Sequence, residues 1–182
     1  LAANARPSGR LAGAADAAFT LLHEVEQQCA ELALFPWKLP RLAVGRARLC
    51  LLPTLWDLRA ATRWAATCGL CAADQPAFVN EYEYLTLVRV YLAESKFTDA
   101  LTLLDKLYTA AAAADRLSSV LECLILRAVA QQAQGQVDSA RTTLIQALTL
   151  AEPASYCRLF VDEGAPLAAL LGSVPPTTPQ LQ

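Results

Sequence analysis

Apolar residues recur every three or four positions along most of the chain, the spacing that gives a helix one buried face. Leu11, Ala14, Ala15, Ala18, Leu21, Leu22, Val25, Cys29 and Leu32 form one stripe. Phe97, Ala100, Leu101, Leu104, Leu107 and Tyr108 form a second, and Val137, Ala140, Leu144, Ala147, Leu148 and Ala151 a third. The stretches 41–52, 81–93 and 117–133 carry apolar side chains around more of their circumference, so they are expected to be inner helices flanked on two sides. Apolar and polar positions nowhere alternate for long enough to make a sheet, and β-branched residues are sparse. The pattern predicts an all-α fold.

Short polar breaks at Gly9-Arg10, Trp56-Asp57, Ser95-Lys96 and Gly135-Gln136 punctuate the helices, which implies antiparallel neighbours. Small residues keep time with them. Ala14, Ala61, Ala100 and Ala140 stand 47, 39 and 40 residues apart, each preceded by three positions by Leu11, Leu58, Phe97 or Val137. Two helices joined by a tight turn can approach closely there only if one residue is small, so each alanine is expected to open the second helix of a hairpin. A lone hairpin leaves an apolar face bare, and stacking on the next hairpin covers it. The expected architecture is therefore a right-handed superhelix of stacked antiparallel hairpins, about 3.5 repeats long, with a concave face lined by the first helices.

Gly135, Ala140, Leu144, Ala147 and Pro153 follow the small-small-large-small-Pro order of the tetratricopeptide repeat, which the chain resembles. Leu124 and Ala128 stand where that family has Trp and its first Gly, and the spacing exceeds the family's period of about 34, so this is a longer, divergent version. Two further segments are more specific: Glu81-Tyr82-Glu83-Tyr84-Leu85-Thr86-Leu87-Val88-Arg89-Val90-Tyr91-Leu92-Ala93, and Tyr156-Cys157-Arg158-Leu159-Phe160-Val161-Asp162-Glu163-Gly164 running on to Leu171. Both resemble the MalT-type, LuxR-family, ATP-dependent transcriptional regulators, in which a helical-repeat region ends in such an Arg-Leu-Phe-hydrophobic-Asp-Glu-Gly stretch. The resemblance implies a sensor region that receives a small-molecule inducer or a partner protein and biases an ATP-dependent switch. It implies cytoplasmic location and a parent protein that binds ATP and DNA through other domains. The chain holds no Gly-x-x-x-x-Gly-Lys-Ser/Thr loop for phosphate and no helix-turn-helix. On this reading, residues 1–172 form the tetratricopeptide-like domain and the Pro/Thr-rich 173–182 a linker toward a DNA-binding domain. Leu159, Phe160, Val161, Leu167, Leu170 and Leu171 suit a short C-terminal helix or two that caps the last hairpin.

Composition narrows the chemistry. The 15 Lys and Arg against 17 Asp and Glu leave a net charge of −2, so direct nucleic-acid binding by this chain is not expected. Its apolar runs are short of the roughly 20 residues a membrane-spanning helix needs, and no targeting segment is read at the N-terminus. One histidine, His23, has no nucleophile motif beside it and is expected to be inert. Cys68-Gly69-Leu70-Cys71 has the spacing of half a zinc or redox site, but it ends a helix, and Gly69 reads as the C-terminal cap. The other cysteines fall at apolar helical positions, as reduced core thiols do. No cofactor, metal or catalytic group is expected, and the chain is read as noncatalytic.

The candidate ligand- or partner-binding residues on the concave face are Arg46, Tyr82, Arg89, Glu122 and Gln132, with Cys50 and Val129 beside them. Polar and aromatic groups converging in a groove suit a sugar, amino-acid-like or peptide ligand. Arg89 and Glu122 stand on adjacent inner helices, and a structural ion pair between them is the competing expectation. Asp162 and Glu163 are adjacent residues whose side chains should point apart, so a terminal capping role is expected in place of acid/base work. The rival function is a general scaffold that clasps peptide tails. Such repeats commonly carry Lys and Asn on the inner helix, and no Lys-x-x-x-Asn occurs on the inner helices here.

Overall fold

The computed structural model describes residues 9–31, 39–52, 57–152, 156–161 and 163–173, and among these every regular element is helical. In chain order they are α1 (Gly9–Glu31), α2 (Leu39–Cys50), α3 (Leu58–Thr67), a single 3-10 turn (Phe78–Asn80), α4 (Glu81–Ala93), α5 (Phe97–Ala113), α6 (Leu117–Ala133), α7 (Val137–Ala151), α8 (Cys157–Val161) and α9 (Gly164–Leu171). The all-α helical-repeat expectation holds. The chain divides into two compact units, Leu1–Leu70 and Cys71–Gln182.

In the first unit α2 packs against both α1 and α3. Its buried positions Val44, Ala47 and Cys50 follow one another at intervals of three, one stripe of the helix. The Asp57 N–H donates to Cys50 O at 2.8 Å, tying the start of α3 to the end of α2. The Asp57 carboxylate accepts from the Ala60 N–H at 3.0 Å, a side-chain N-cap that satisfies one donor the helix cannot. Ala61 follows one turn into α3 and is fully buried, as expected of the small residue where paired helices meet.

In the second unit α4 pairs with α5 and α6 with α7, and α5 also packs on α6. One joint is used three times. The N–H of Lys96 donates to Tyr91 O at 2.8 Å, that of Arg116 to Ala111 O at 3.0 Å and that of Gln136 to Gln131 O at 2.9 Å. Each bond reaches back five residues over a left-handed residue, Ser95 (φ 59°), Asp115 (φ 52°) or Gly135 (φ 77°). This is the Schellman closure, which gives a partner to carbonyls that the last helical turn leaves bare. Ala100, Val120 and Ala140 then stand at the same distance past each joint and are buried. The joint at Asp115-Arg116 is not among the breaks read in the sequence.

One other boundary differs from expectation: Gly9 and Arg10 begin α1 and do not precede it. Gly69 (φ 72°) ends α3 as expected, one residue past Cys68, and the 3-10 turn intervenes in the link to α4. That link has its own anchor. The Lys106 ammonium on α5 donates to the carbonyls of Ala72, Ala73 and Asp74 at 2.8–2.9 Å, using all three of its protons. The Asp74 carboxylate in turn accepts from the Cys71 N–H at 2.7 Å and from the Tyr84 hydroxyl at 3.2 Å.

Most of the largest fully buried side chains of the second unit, including Leu103, Leu104, Leu107, Leu121, Leu124 and Leu144, lie on α5, α6 and α7, with Leu87 on α4 and Leu167 and Leu170 on α9. The expected C-terminal cap is present. Leu167 and Leu170 of α9 are completely buried in one cluster with Leu124, Ala140, Leu144 and Ala147, and Leu159 and Phe160 of α8 pack against its edge. Of the segment 173–182 read as a linker, all but Ser173 lies outside the described residues, as do Asp162 and the side chains of Leu11, Ala14, Ala15, Cys29 and Leu32 from the first stripe.

Candidate functional site

The first helices of the second unit's two hairpins, α4 and α6, run side by side in the same direction, joined by two polar rungs. At their beginnings the Glu81 carboxylate accepts from Arg116, at 2.6 Å from Nη2 and 3.2 Å from Nε, and from the Ser119 hydroxyl. Arg116 also lies over the Phe78 ring, 4.9 Å from its centroid. Two turns along, Arg89 Nη2 of α4 stands 2.8 Å from Glu122 Oε1 of α6. The signs alternate, acid on α4 in the first rung and base in the second. A slip that paired Glu81 with Glu122 would set like charges together, so the rungs define how the two helices align.

Arg89 is the centre of the site. Its Nη2 also pairs with Glu163, the residue immediately before α9, and its Nη1 donates to Leu85 O one turn back on α4 at 3.1 Å. The side chains of Arg89, Glu122 and Glu163 are only 10%, 15% and 13% exposed, so the three charges sit largely out of water. Desolvation is the strongest influence on the guanidinium and opposes its charge, but Glu163 and Glu122 more than reverse it and the pKa is raised. Arg89 is therefore a cation throughout the physiological range.

Of the candidate residues read from the sequence, the structure brings Arg89 and Glu122 together, as the competing expectation had it. Tyr82 lies seven residues before Arg89 on α4, hence on the same side of the helix, and is 43% exposed. Gln132 lies at the far end of α6, half-buried, with its amide oxygen buried and without a hydrogen-bond partner among the described residues. Val129 packs against the apolar cluster. Arg46 belongs to the first unit, where it meets Glu26 of α1 in a two-pronged pair (2.5 and 3.3 Å) and lies 5.8 Å from the Phe19 ring centroid. Cys50 is buried in that unit, and burial pushes its thiol up.

Glu163 is the residue that sequence reasoning missed. The sequence leads to an expected role for it in capping the end of the stack, and its carboxylate, set immediately before the capping helix α9, reaches Arg89, 74 positions earlier. The Asp-Glu-Gly stretch was the available signal: Gly164 adopts φ 64°, turning the chain into α9 just after the glutamate.

The remaining chemistry-bearing residues are occupied locally. His23 is exposed and bonds Gln27 on its own helix at 3.2 Å. The Cys68 thiol donates to Ala65 O, and the Cys71 thiol to Asp74. Burial, with Glu122 and Glu81 nearby, raises the Cys123 thiol to about 12, which keeps it protonated and unreactive. Among the described residues no group of three or more His, Cys, Asp or Glu side chains could hold a metal ion, and no helix is long and apolar enough to cross a membrane.

Comparison with known families gives one match: the family described as the MalT-like TPR region, over residues 11–175. No curated protein and no solved structure matches the chain significantly.

Proposed function

The chain belongs to the MalT-like TPR regions, and from that premise we propose that it is the noncatalytic sensing and interaction module of a bacterial, cytoplasmic, LuxR-family transcriptional regulator. Helical repeats of this type generally bind proteins or ligands and generally lack catalysis. The module receives a small-molecule inducer or a partner protein on the first helices of its hairpins. Residues 1–172 are the receiving domain, and 173–182 lead toward a DNA-binding domain of the parent protein, which binds ATP through another domain. Control follows from differential affinity: an inducer that prefers one state of the ATP-dependent switch shifts the population toward it. The family match across residues 11–175 carries this reading. The partly exposed Tyr82, two turns before Arg89 on the same side of α4, supports it, since an aromatic face and charged groups along one side of a helix suit a polar organic ligand.

The test is thermal unfolding of the 182-residue chain against panels of sugars, amino acids and peptides. A ligand at about 100 times its Kd adds about 2.7 kcal/mol to stability, an easily read upward shift in Tm. Tyr82→Ala is expected to remove the shift and leave the unliganded Tm close to that of the parent chain. Stabilisation by peptides alone points to a general scaffold, and an unchanged Tm across all panels defeats the sensing role.

A further inference from the structure

We infer that α9 is a releasable strap lying over α6 and α7 and tied to α4 by Glu163 on Arg89, and that its release is separable from unfolding of the hairpins it covers.

Two anchors of different kind hold it. Leu167 and Leu170 insert into the apolar cluster of α6 and α7. Glu163, at the other end, makes an ion pair with Arg89 on α4, whose second partner is Glu122 on α6. The outward residues Ala165, Pro166, Ala168 and Ala169 are exposed, so among the described residues α9 is held from below by α6 and α7, with α8 at its side. Eight residues are too few to remain helical in water without a docking partner. Detachment of α9 is therefore also its melting, a local opening of the kind that occurs below the free energy of global unfolding.

The ionic anchor is the controllable one. Arg89 stays oriented without Glu163, because Leu85 O and Glu122 continue to hold it. Whatever takes Arg89 away from Glu163 thus frees the strap while leaving the α4–α6 rung in place. Glu163 reaches this face from far along the chain, so occupancy at Arg89 is read out as order or disorder in the residues that follow. The link between an external occupant and the strap rests on the receptor role proposed above. The strap itself does not, and its test needs no ligand.

That test is backbone hydrogen exchange on the 182-residue chain and on Glu163→Gln, followed by peptide. In both chains α9 amides are expected to open at a lower free energy and with a smaller urea dependence of exchange than those of α5, α6 and α7, and in the variant α9 is expected to exchange roughly tenfold faster or more. Unchanged exchange in α9 overturns the inference, since the ionic anchor then holds nothing. A shared opening free energy and urea dependence for α9, α6 and α7 also overturns it, because the cap and the hairpin then open as one body. Leu167→Ala is the second variant: it weakens the apolar anchor, and α9 is again expected to exchange faster while its opening remains of lower free energy than that of α6 and α7. Unchanged α9 exchange in this variant also overturns the inference, since the apolar anchor then holds nothing. Failure of the strap leaves the ligand panels to be judged independently, and failure of the ligand panels leaves the strap standing.

Discussion

Arg46 in the first unit and Arg89 in the second both sit on the first helix of a hairpin, and both were candidates for the same binding face. Their surroundings separate them. Arg46 is 38% exposed and faces one glutamate, Glu26, across a short stretch of chain. Arg89 is 10% exposed and faces two, from α6 and from the turn before α9. An ion pair in water is screened and costs side-chain freedom to hold, whereas one shielded from water is essential once built, because losing one partner strands the others. The apolar side follows the same division. Among the described residues the buried side chains of the first unit are small, Val44, Ala47, Cys50 and Ala61, while in the second leucine is the commonest buried residue. The same residue type on the same kind of helix thus does different work according to how much apolar surface encloses it.

The largest effect that can break this contrast is at the arginines. Arg89→Ala is expected to destabilise the second unit by roughly 3–5 kcal/mol, and Arg46→Ala to change stability by about 1 kcal/mol or less, both read from urea unfolding. Equal losses would mean that enclosure does not set their worth. Next come the apolar positions. Leu144→Ala, which empties a fully buried site, is expected to cost about 2–5 kcal/mol, and Val44→Ala about 1.5–3 kcal/mol.

A smaller effect lies in the joints. Helix α3 ends on Gly69, but α4 and α5 end on Ser95 and Asp115 in the left-handed conformation, where a Cβ is strained. Ser95→Gly and Asp115→Gly are each expected to raise stability by about 0.5–1 kcal/mol, and Gly135→Ala to lower it by about 1–2 kcal/mol. The sharpest pH effect is expected at Asp74. The hydrogen bonds from the Cys71 amide and thiol, then that from Tyr84 and the charge of Lys106, hold its carboxyl below the usual carboxylate range. A depressed pKa stabilises the fold above the carboxylate range and loses that contribution as the pH falls through the folded-state value. Asp74→Asn should therefore flatten the acid limb of a stability profile below about pH 4, leaving its shape near neutrality unchanged.

Much of the fold was legible before any coordinates. The 39- and 40-residue steps between Ala61, Ala100 and Ala140 are packing constraints written as composition: only a small residue lets two helices meet at a tight turn, and Ala100 and Ala140 are completely buried. The capping leucines were legible because an end hairpin must be sealed. The site was less so. Apolar periodicity tells which way a residue faces but not which distant residue faces it, so Arg89 and Glu122 were found by adjacency of helices while Glu163 was missed. Its approach depends on the turn at Gly164 and on where α9 lies over α6 and α7. The three bonds from Lys106 to successive carbonyls were invisible for the same reason, since backbone acceptors carry no signature in residue type.

The joints at Ser95, Asp115 and Gly135 are spaced by twenty residues and close in the same way. A stretch cut after any one of them therefore ends in a backbone shape that the stretch after another already accepts. Copying or deleting the forty residues between Ser95 and Gly135 would leave matching splice points. The chain can change length by whole hairpins without inventing a new corner, a route by which proteins of this construction can grow or shrink in evolution or by design.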